Sequence, residues 1–477
     1  MRDTRTDDPF GPFHAMLATP DPLASLRDGL IGDGARVEGP FGPHPLVYAD
    51  YTASGRALMQ VERFMLEQVL PYYANSHTEA SYCGARMTRL RRAARAVIAG
   101  ACGAGDEHAV VFCGAGATAG INRLVALLGA GPGVRVLLGP YEHHSNILPW
   151  RESGAEVITL DEAAGGGPER AQLARLLDTR APVICAFSAA SNVTGIVADV
   201  EGLTRQVKAA GALMVWDYAG GAPYLPIALD PAPDAMIDAI ALSPHKFAGG
   251  PGASGVMILR RDAVRVTRPS QPGGGTVRFV SPAGHDYADS LEAREEAGTP
   301  NLPGDIRAAL VFLVKAAIGQ EHMDRRHAAL RERLEGAWRG HPRIEMLGAA
   351  GLAGLPVAAF RLRDGRGGYI HQQLVTRMLS DLYGIQARGG CACAGPYVHR
   401  LLGIDAARSG RLRAAILSGD EMAKPGFTRL NLSVLLDDGK VDFILSSVAD
   451  LARRAPGLAA HYRCDPARAI FAPRAVA

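Results

Sequence analysis

The sequence predicts an α/β protein, with a large domain on a mostly parallel seven-stranded sheet and a smaller C-terminal α+β domain. Three observations lead there. Seven short, continuously apolar runs lie between residues 109 and 259, most of them separated by segments with helical spacing. Strands that are apolar on both faces and alternate with helices belong to a parallel sheet covered on both sides. After about residue 300 the alternation stops, and two long helices open a different pattern. A length of 477 residues accommodates two or three domains.

Taken in order, residues 1–45 are rich in proline and glycine and read as an N-terminal arm with one short helix at 21–30. Residues 47–54 form a short strand running into a polar turn. Helices follow at 56–70 and 86–99, the second with Met87, Leu90, Ala94, Val97 and Ile98 on one face. The seven strands are expected at 109–113, 134–138, 155–160, 183–187, 213–216, 239–242 and 255–259, within a large domain spanning 46–300. The small domain, 301–477, begins with helices at 305–318 and 321–339, the latter rich in arginine. It continues with short strands and one more helix, and closes with a helix at 441–453.

Composition excludes several classes. The net charge of +3 is close to neutral and spread along the chain. The densest basic run, Arg89-Leu90-Arg91-Arg92, alternates with apolar positions as a helix face does, so no nucleic-acid footprint is expected. No apolar run is long enough to cross a bilayer, and the first residues lack the apolar stretch of a signal peptide. Seven cysteines at scattered positions make no disulfide framework. The expectation is a cytoplasmic protein whose special cysteines are chemical rather than structural.

Five stretches could carry chemistry. Lys246 is one of only five lysines, and it alone follows an apolar strand and enters a glycine-rich turn, in Ser243-Pro244-His245-Lys246. Such a lysine suits a Schiff base to a carbonyl, with hydroxyl and imidazole beside it for a phosphate; the plain alternative is a surface lysine. Gly114-Ala115-Gly116-Ala117-Thr118 opens a helix whose free amides could bind phosphate, or is an ordinary tight turn. It fits neither the Walker pattern nor a dinucleotide fingerprint. Asp217 ends an apolar strand, where it could pair with a pyridinium nitrogen or cap the next turn. His143 and His144 are adjacent, so they cannot both face one metal from a helix, and no metal site is expected. One of them could stack on an aromatic cofactor, or bond at the helix start. Cys391 and Cys393 lie in a loop of glycines and alanines after Arg388, where a mobile thiolate or two small buried residues are both possible.

Together these stretches resemble the class V group of fold-type-I pyridoxal-phosphate enzymes, closest to the cysteine desulfurase and selenocysteine lyase family. The resemblance covers roughly residues 46–455. It rests on ordered motifs at 48–54, 116–122, 142–150, 191–195, the Asp217 strand, 243–246, 273–276, 296–301, the cysteine loop and 428–433. It implies pyridoxal 5'-phosphate held by Lys246, which would also move protons at the substrate α-carbon. Asp217 would pair with the ring nitrogen, and His143 would stack on the ring and assist proton transfer. Thr118, the Ala117 amide, Ser243 and His245 would bind the phosphate, and Asn192 would bond beside the ring. Thr276 would reach the phosphate of a neighbouring subunit, implying a homodimer with shared sites. Arg429, helped by Arg388, would clamp the substrate carboxylate, and Cys393 would accept the sulfur before passing it to an acceptor protein.

This sequence departs from the family pattern in three places. Gly220 stands where a glutamine is usual, Cys391 and Ala392 stand at histidine-like positions, and residues 402–425 are an extra stretch. The activity implied is removal of sulfur or selenium from cysteine or a related amino acid, leaving alanine and a persulfide on Cys393. The competing expectations are a class V aminotransferase, epimerase or C–S lyase without a persulfide, and a non-catalytic sulfur- or metal-binding protein.

Overall fold

A computed structural model describes residues 8–76 and 79–474; the first seven residues of the expected arm lie outside them. The chain forms two compact units. One contains Ser54–Ala190 and Ala198–His322 with the N-terminal stretch up to Ile31. The other contains Gly32–Ala53, Ser191–Val197 and the residues from Met323 onward.

The first unit is built on the expected seven-stranded sheet. Its strands are β1 (His108–Gly114), β2 (Arg135–Leu138), β3 (Glu156–Thr159), β4 (Val183–Ser188), β5 (Leu213–Asp217), β6 (Ala239–Leu242) and β7 (Gly255–Arg260). Their order is β1-β7-β6-β5-β4-β2-β3. Strands β2 to β6 pair in parallel, and β7 runs antiparallel between β6 and β1. The reason for the reversal is local. A parallel crossover needs a dozen or more residues and usually a helix. The link from Ser243 to Ser254 holds only the short turn Pro244–Lys246, so the chain returns beside its own strand.

The remaining six strands therefore point one way, and β1, β2, β5 and β6 end along one edge, where ligands gather in open α/β sheets. Strands β4 and β6 are buried at every position. The helix Gly116–Leu127 packs its apolar stripe, Ile121, Leu124 and Leu127, on Val111, Ala241 and Met257. The helix Tyr82–Cys102 is longer than its periodicity predicts, because Ser81 caps its start and Gly103 takes the left-handed end. Two of its arginines are spent on ion pairs within the unit: Arg91 and Arg95 bind Glu296, and Arg91 also binds Asp305. The expected helix at 56–70 is divided into a short α-helix, Met59–Phe64, a π-turn, Met65–Val69, and a 3₁₀ turn, Leu70–Tyr72, that contains Pro71.

The second unit carries a four-stranded antiparallel sheet of β8 (Ile344–Met346), β9 (Val357–Leu362), β10 (Arg388–Gly390) and β11 (Phe427–Asn431), in the order β8-β9-β11-β10. The helices Gln372–Tyr383 and Asp438–Leu458 bury Met378, Leu379, Ile444 and Val448 in a core with Phe360 and Leu430. The extra stretch between the cysteine loop and β11 folds as a helix, Ala406–Leu417, with no buried residue. Among the described residues no helix is long and apolar enough to cross a membrane.

Candidate active site

In the first unit, Lys246 sits on the turn that follows β6. The Lys246 amide bonds to the Ser243 carbonyl at 3.0 Å, and the Gly55 amide bonds to the His245 carbonyl at 3.0 Å. Gly55 lies so close that a Cβ there would stand 1.7 Å from the Phe247 carbonyl oxygen, so only glycine lets this backbone brace the turn. The other four lysines are engaged elsewhere. Lys208 grips the buried Asp238, Lys315 donates to the Ala222 and Leu225 carbonyls, Lys424 pairs with Glu421, and Lys440 pairs with Asp33.

Asp217 is buried at the end of β5. Its carboxylate accepts one hydrogen bond among the described residues, from the Ala219 amide at 2.8 Å. Burial raises this carboxyl above its ordinary value, against the opposing pulls of that amide and of the Lys246 charge. A buried carboxylate so sparsely bonded suits a cationic partner such as a ring N–H⁺.

The expected phosphate residues come together at the start of the helix Gly116–Leu127. The Ala117 amide donates to Ser243 Oγ at 2.9 Å, and Thr118 Oγ1 lies 2.7 Å from Ser145 Oγ. Gly116 has φ +61°, and a Cβ on it would stand 2.9 Å from His245 Cε1 and 3.0 Å from Ser243 Oγ. The glycine thus keeps a cradle open that any side chain would fill. Burial and the neighbouring Lys246 push the His245 imidazole down to about 4, so it stands neutral at pH 7. His143 is half-buried, and its Nδ1 accepts the Ser145 amide at 3.1 Å, which fixes the ring at the start of a short turn. Thr276 is buried and its hydroxyl donates to the Gly273 carbonyl at 2.7 Å.

The second unit brings Asn192, Arg388, Arg429 and the cysteine loop together. Arg429 is buried; it donates to the Asn192 carbonyl at 3.0 Å and to Asp50 Oδ1 at 3.1 Å. Arg388 Nε donates to Asp50 Oδ2 at 2.9 Å. The Asn192 side-chain amide donates to the Ala392 carbonyl at 2.8 Å. Cys393 is exposed at the tip of a tight turn, and Cys391 is half-buried at its base. Ala392 and Cys393 both have positive φ, 49° and 52°. Left-handed backbone costs a residue with a Cβ about 1–2 kcal/mol, so this turn is held rather than relaxed.

Comparison with known proteins places the chain in a family. The profile of the Aminotransferase class-V family matches residues 47–418. The chain belongs to the class-V aminotransferase family. A cysteine desulfurase from Pectobacterium atrosepticum is 32% identical over 360 residues, covering 74% of this chain and 85% of that protein. A cysteine desulfurase from Serratia proteamaculans is 31% identical over 368 residues, with the same two coverages, 74% and 85%. Among solved structures, a cysteine desulfurase from Thermococcus onnurineus has the same fold, with a TM-score of 0.74 over 90% of this chain and 98% of that one, at 23% identity.

Two residues of this class-V chain escape a reading of its sequence. Asp50 lies in the strand-and-turn stretch 47–54, yet its carboxylate holds both candidate substrate arginines. Glu142 is buried behind β4, accepting from the Ser188 amide at 2.8 Å, the Ser188 hydroxyl at 2.6 Å and Asn146 Nδ2 at 2.7 Å. Trp150 Nε1 then donates to Asn146 Oδ1 at 2.9 Å. The spacing Glu142, Asn146, Trp150 repeats every four residues and was the available signal. Ser188 pairs with Asp217 across β4 and β5, so this chain of bonds braces the strand end beside the Asp217 carboxylate.

Burial pushes the Glu142 carboxyl up from 4.5 to about 7, with the Ser188 and Asn146 bonds pulling the other way. The unfolded chain ionises this group near its ordinary value. Between the two values the folded state binds the extra proton, so the stability from Glu142 is full below about pH 4.5 and is lost as pH rises to 7. That window is worth about 3 kcal/mol at most. Glu142→Gln should flatten this part of the pH profile of thermal unfolding between pH 5 and 8. Parallel profiles for parent and variant would show that the group does not titrate in this range.

Proposed function

We propose that this chain is a pyridoxal-phosphate-dependent cysteine desulfurase. It would take sulfur from L-cysteine, or selenium from its selenium analogue, and release alanine. The observation that carries the proposal is the pairing of Lys246 after β6 with a buried, sparsely bonded Asp217 at the end of the neighbouring β5. The open cradle formed by Gly116, Ser243 and His245 supports a phosphate, and the two desulfurase relatives support the substrate class.

When bound, pyridoxal phosphate supplies an electron-withdrawing ring that stabilises charge at the substrate α-carbon. The residues of the chain do the rest. Lys246 holds the cofactor and moves the α-proton. Asp217 keeps the ring nitrogen protonated, and His143 offers its ring for stacking and proton transfer. The helix start at Ala117 and Thr118, with Ser243 and neutral His245, binds the phosphate. Arg429 holds the substrate carboxylate with a planar fork, oriented by Asp50 and assisted by Arg388. The Cys393 sulfur would form an S–S bond to the substrate sulfur while the substrate Cβ–S bond breaks; the electron pair of that bond stays with the carbon, which takes a proton on the way to alanine, and a persulfide is left on Cys393. An acceptor protein then takes the sulfur. We place the protein in the cytoplasm as a homodimer. In such a dimer the Thr276 hydroxyl would have to leave the Gly273 carbonyl to reach a phosphate of the partner subunit.

The altered loop at Cys391 and Ala392 favours one rival, a class V aminotransferase or C–S lyase with no persulfide step. Purified holoenzyme incubated with L-cysteine should release sulfide, in the presence of a thiol reductant, and alanine in equal amounts. A panel of other amino acids should give far less product. Pyruvate and ammonia in place of alanine, or transamination of another amino acid, would sink the desulfurase proposal.

A further inference from the structure

The cysteine turn poses a physical question that its sequence does not answer. It runs from Cys391 to Ala394 and is closed by the Ala394 amide bonding to the Cys391 carbonyl at 3.0 Å. Both central residues are left-handed, Ala392 at φ 49° and Cys393 at φ 52°. Turns of this kind normally take Asn, Asp or Gly at the centre, because those residues tolerate positive φ. With alanine and cysteine there, something outside the turn has to hold it.

One side chain does so. Asn192 Nδ2 donates to the Ala392 carbonyl at 2.8 Å. That carbonyl belongs to the peptide joining Ala392 to Cys393, so the bond fixes the peptide plane that aims the Cys393 side chain. Asn192 is itself rigidly placed. The Val193 and Thr194 amides bond to Ser191 Oγ at 3.3 and 3.2 Å, and the Gly195 amide bonds to the Ser191 carbonyl at 3.0 Å. The Asn192 carbonyl accepts from Arg429, Arg429 binds Asp50, and Asp50 binds Arg388, which begins the strand leading into the turn. The turn is thus held at its tip and at its root, and both holds lead back to Asp50.

We propose that Asn192 is a positioning residue: its side-chain amide holds the Cys393 turn in the left-handed form, and its backbone ties that hold to Arg429 and Asp50. The proposal rests on the assignment of Cys393 as the sulfur-accepting thiol. It gives Asn192 work on the cysteine loop beside the bond to the cofactor ring that the resemblance implies. It also links the arginine that would grip the substrate carboxylate to the presentation of the thiol, because a carboxylate on Arg429 draws on the same guanidinium that secures Asn192.

The test reads the thiol without turnover. Purified holoenzyme is alkylated with iodoacetamide, and the rate at Cys393 is followed by fragmentation mass spectrometry of the peptide carrying residues 389–400. Asn192→Asp keeps the shape and removes the donor, and Asn192→Ala removes the side chain. Both should alkylate faster at Cys393 by about five- to tenfold, the equivalent of one net hydrogen bond. Asp50→Asn should also speed alkylation and raise KM for L-cysteine more than it lowers kcat, with the cofactor absorption unchanged. Rates within twofold of the parent in both Asn192 variants would overturn the proposal. If the parent releases no sulfide yet the alkylation rates shift as expected, the latch stands and the desulfurase assignment falls. If sulfide is released and the rates do not shift, the reverse holds.

Discussion

Lys246→Ala is expected to give a colourless protein whose turnover falls on the order of 10³-fold or more, the loss that follows removal of a group that both binds covalently and moves protons. The effect should be this large because no other lysine is placed to replace it. Lys208 is bound to Asp238 and Lys315 to two carbonyls, and Lys424 and Lys440 are paired with Glu421 and Asp33. The turn itself should survive, since its hydrogen bonds are made by backbone groups of Ser243, His245 and Gly55. Parent and variant are compared by visible absorption after incubation with pyridoxal phosphate, and by product formation. A variant that kept the parent's absorption band and turnover would remove Lys246 from the chemistry, and a parent that stayed colourless with added pyridoxal phosphate would remove the cofactor assignment.

Cys393→Ala should abolish sulfide release, by at least about 10²-fold, while leaving the cofactor absorption intact, because it removes a nucleophile and not a cofactor contact. Cys391→Ala should retain measurable activity. The difference follows from the turn: Cys393 is exposed at the tip, whereas Cys391 is half-buried at the base, where its carbonyl closes the turn. After treatment with L-cysteine, mass spectrometry should find one added sulfur on the peptide carrying Cys393 in the parent and none in Cys393→Ala. Turnover of Cys393→Ala at the parent's rate would instead make the protein a class V aminotransferase or lyase.

Much of the first unit was legible from local pattern. Apolar runs flanked by helical spacing located all seven strands, and those buried at every position, β4 and β6, have to be apolar throughout. The isolation of Lys246 among five lysines, and of Asp217 at a strand end, was visible because both depend on residue type and immediate context. The antiparallel return of β7 was also implicit, since the link around Lys246 holds no crossover helix, but periodicity carries no strand direction.

What the sequence by itself determined, then, was the α/β class, the strand sites and the residue types available for chemistry. These are properties of short windows, set by burial, backbone propensity and spacing. Only the tertiary structure decided which residues act on one another across long separations. Asp50 holds Arg388 and Arg429 over separations of 338 and 379 residues. Asn192 reaches Ala392 over 200. The segments Gly32–Ala53 and Ser191–Val197 join the second unit although the intervening chain builds the first. A hydrogen bond depends on where two groups stand in space, and the local pattern around Asp50 or Asn192 is that of any polar turn. The physical reason is the same in each case: a buried carboxylate and a strained turn require partners, but the chain meets those requirements only after the sheets have brought distant segments together.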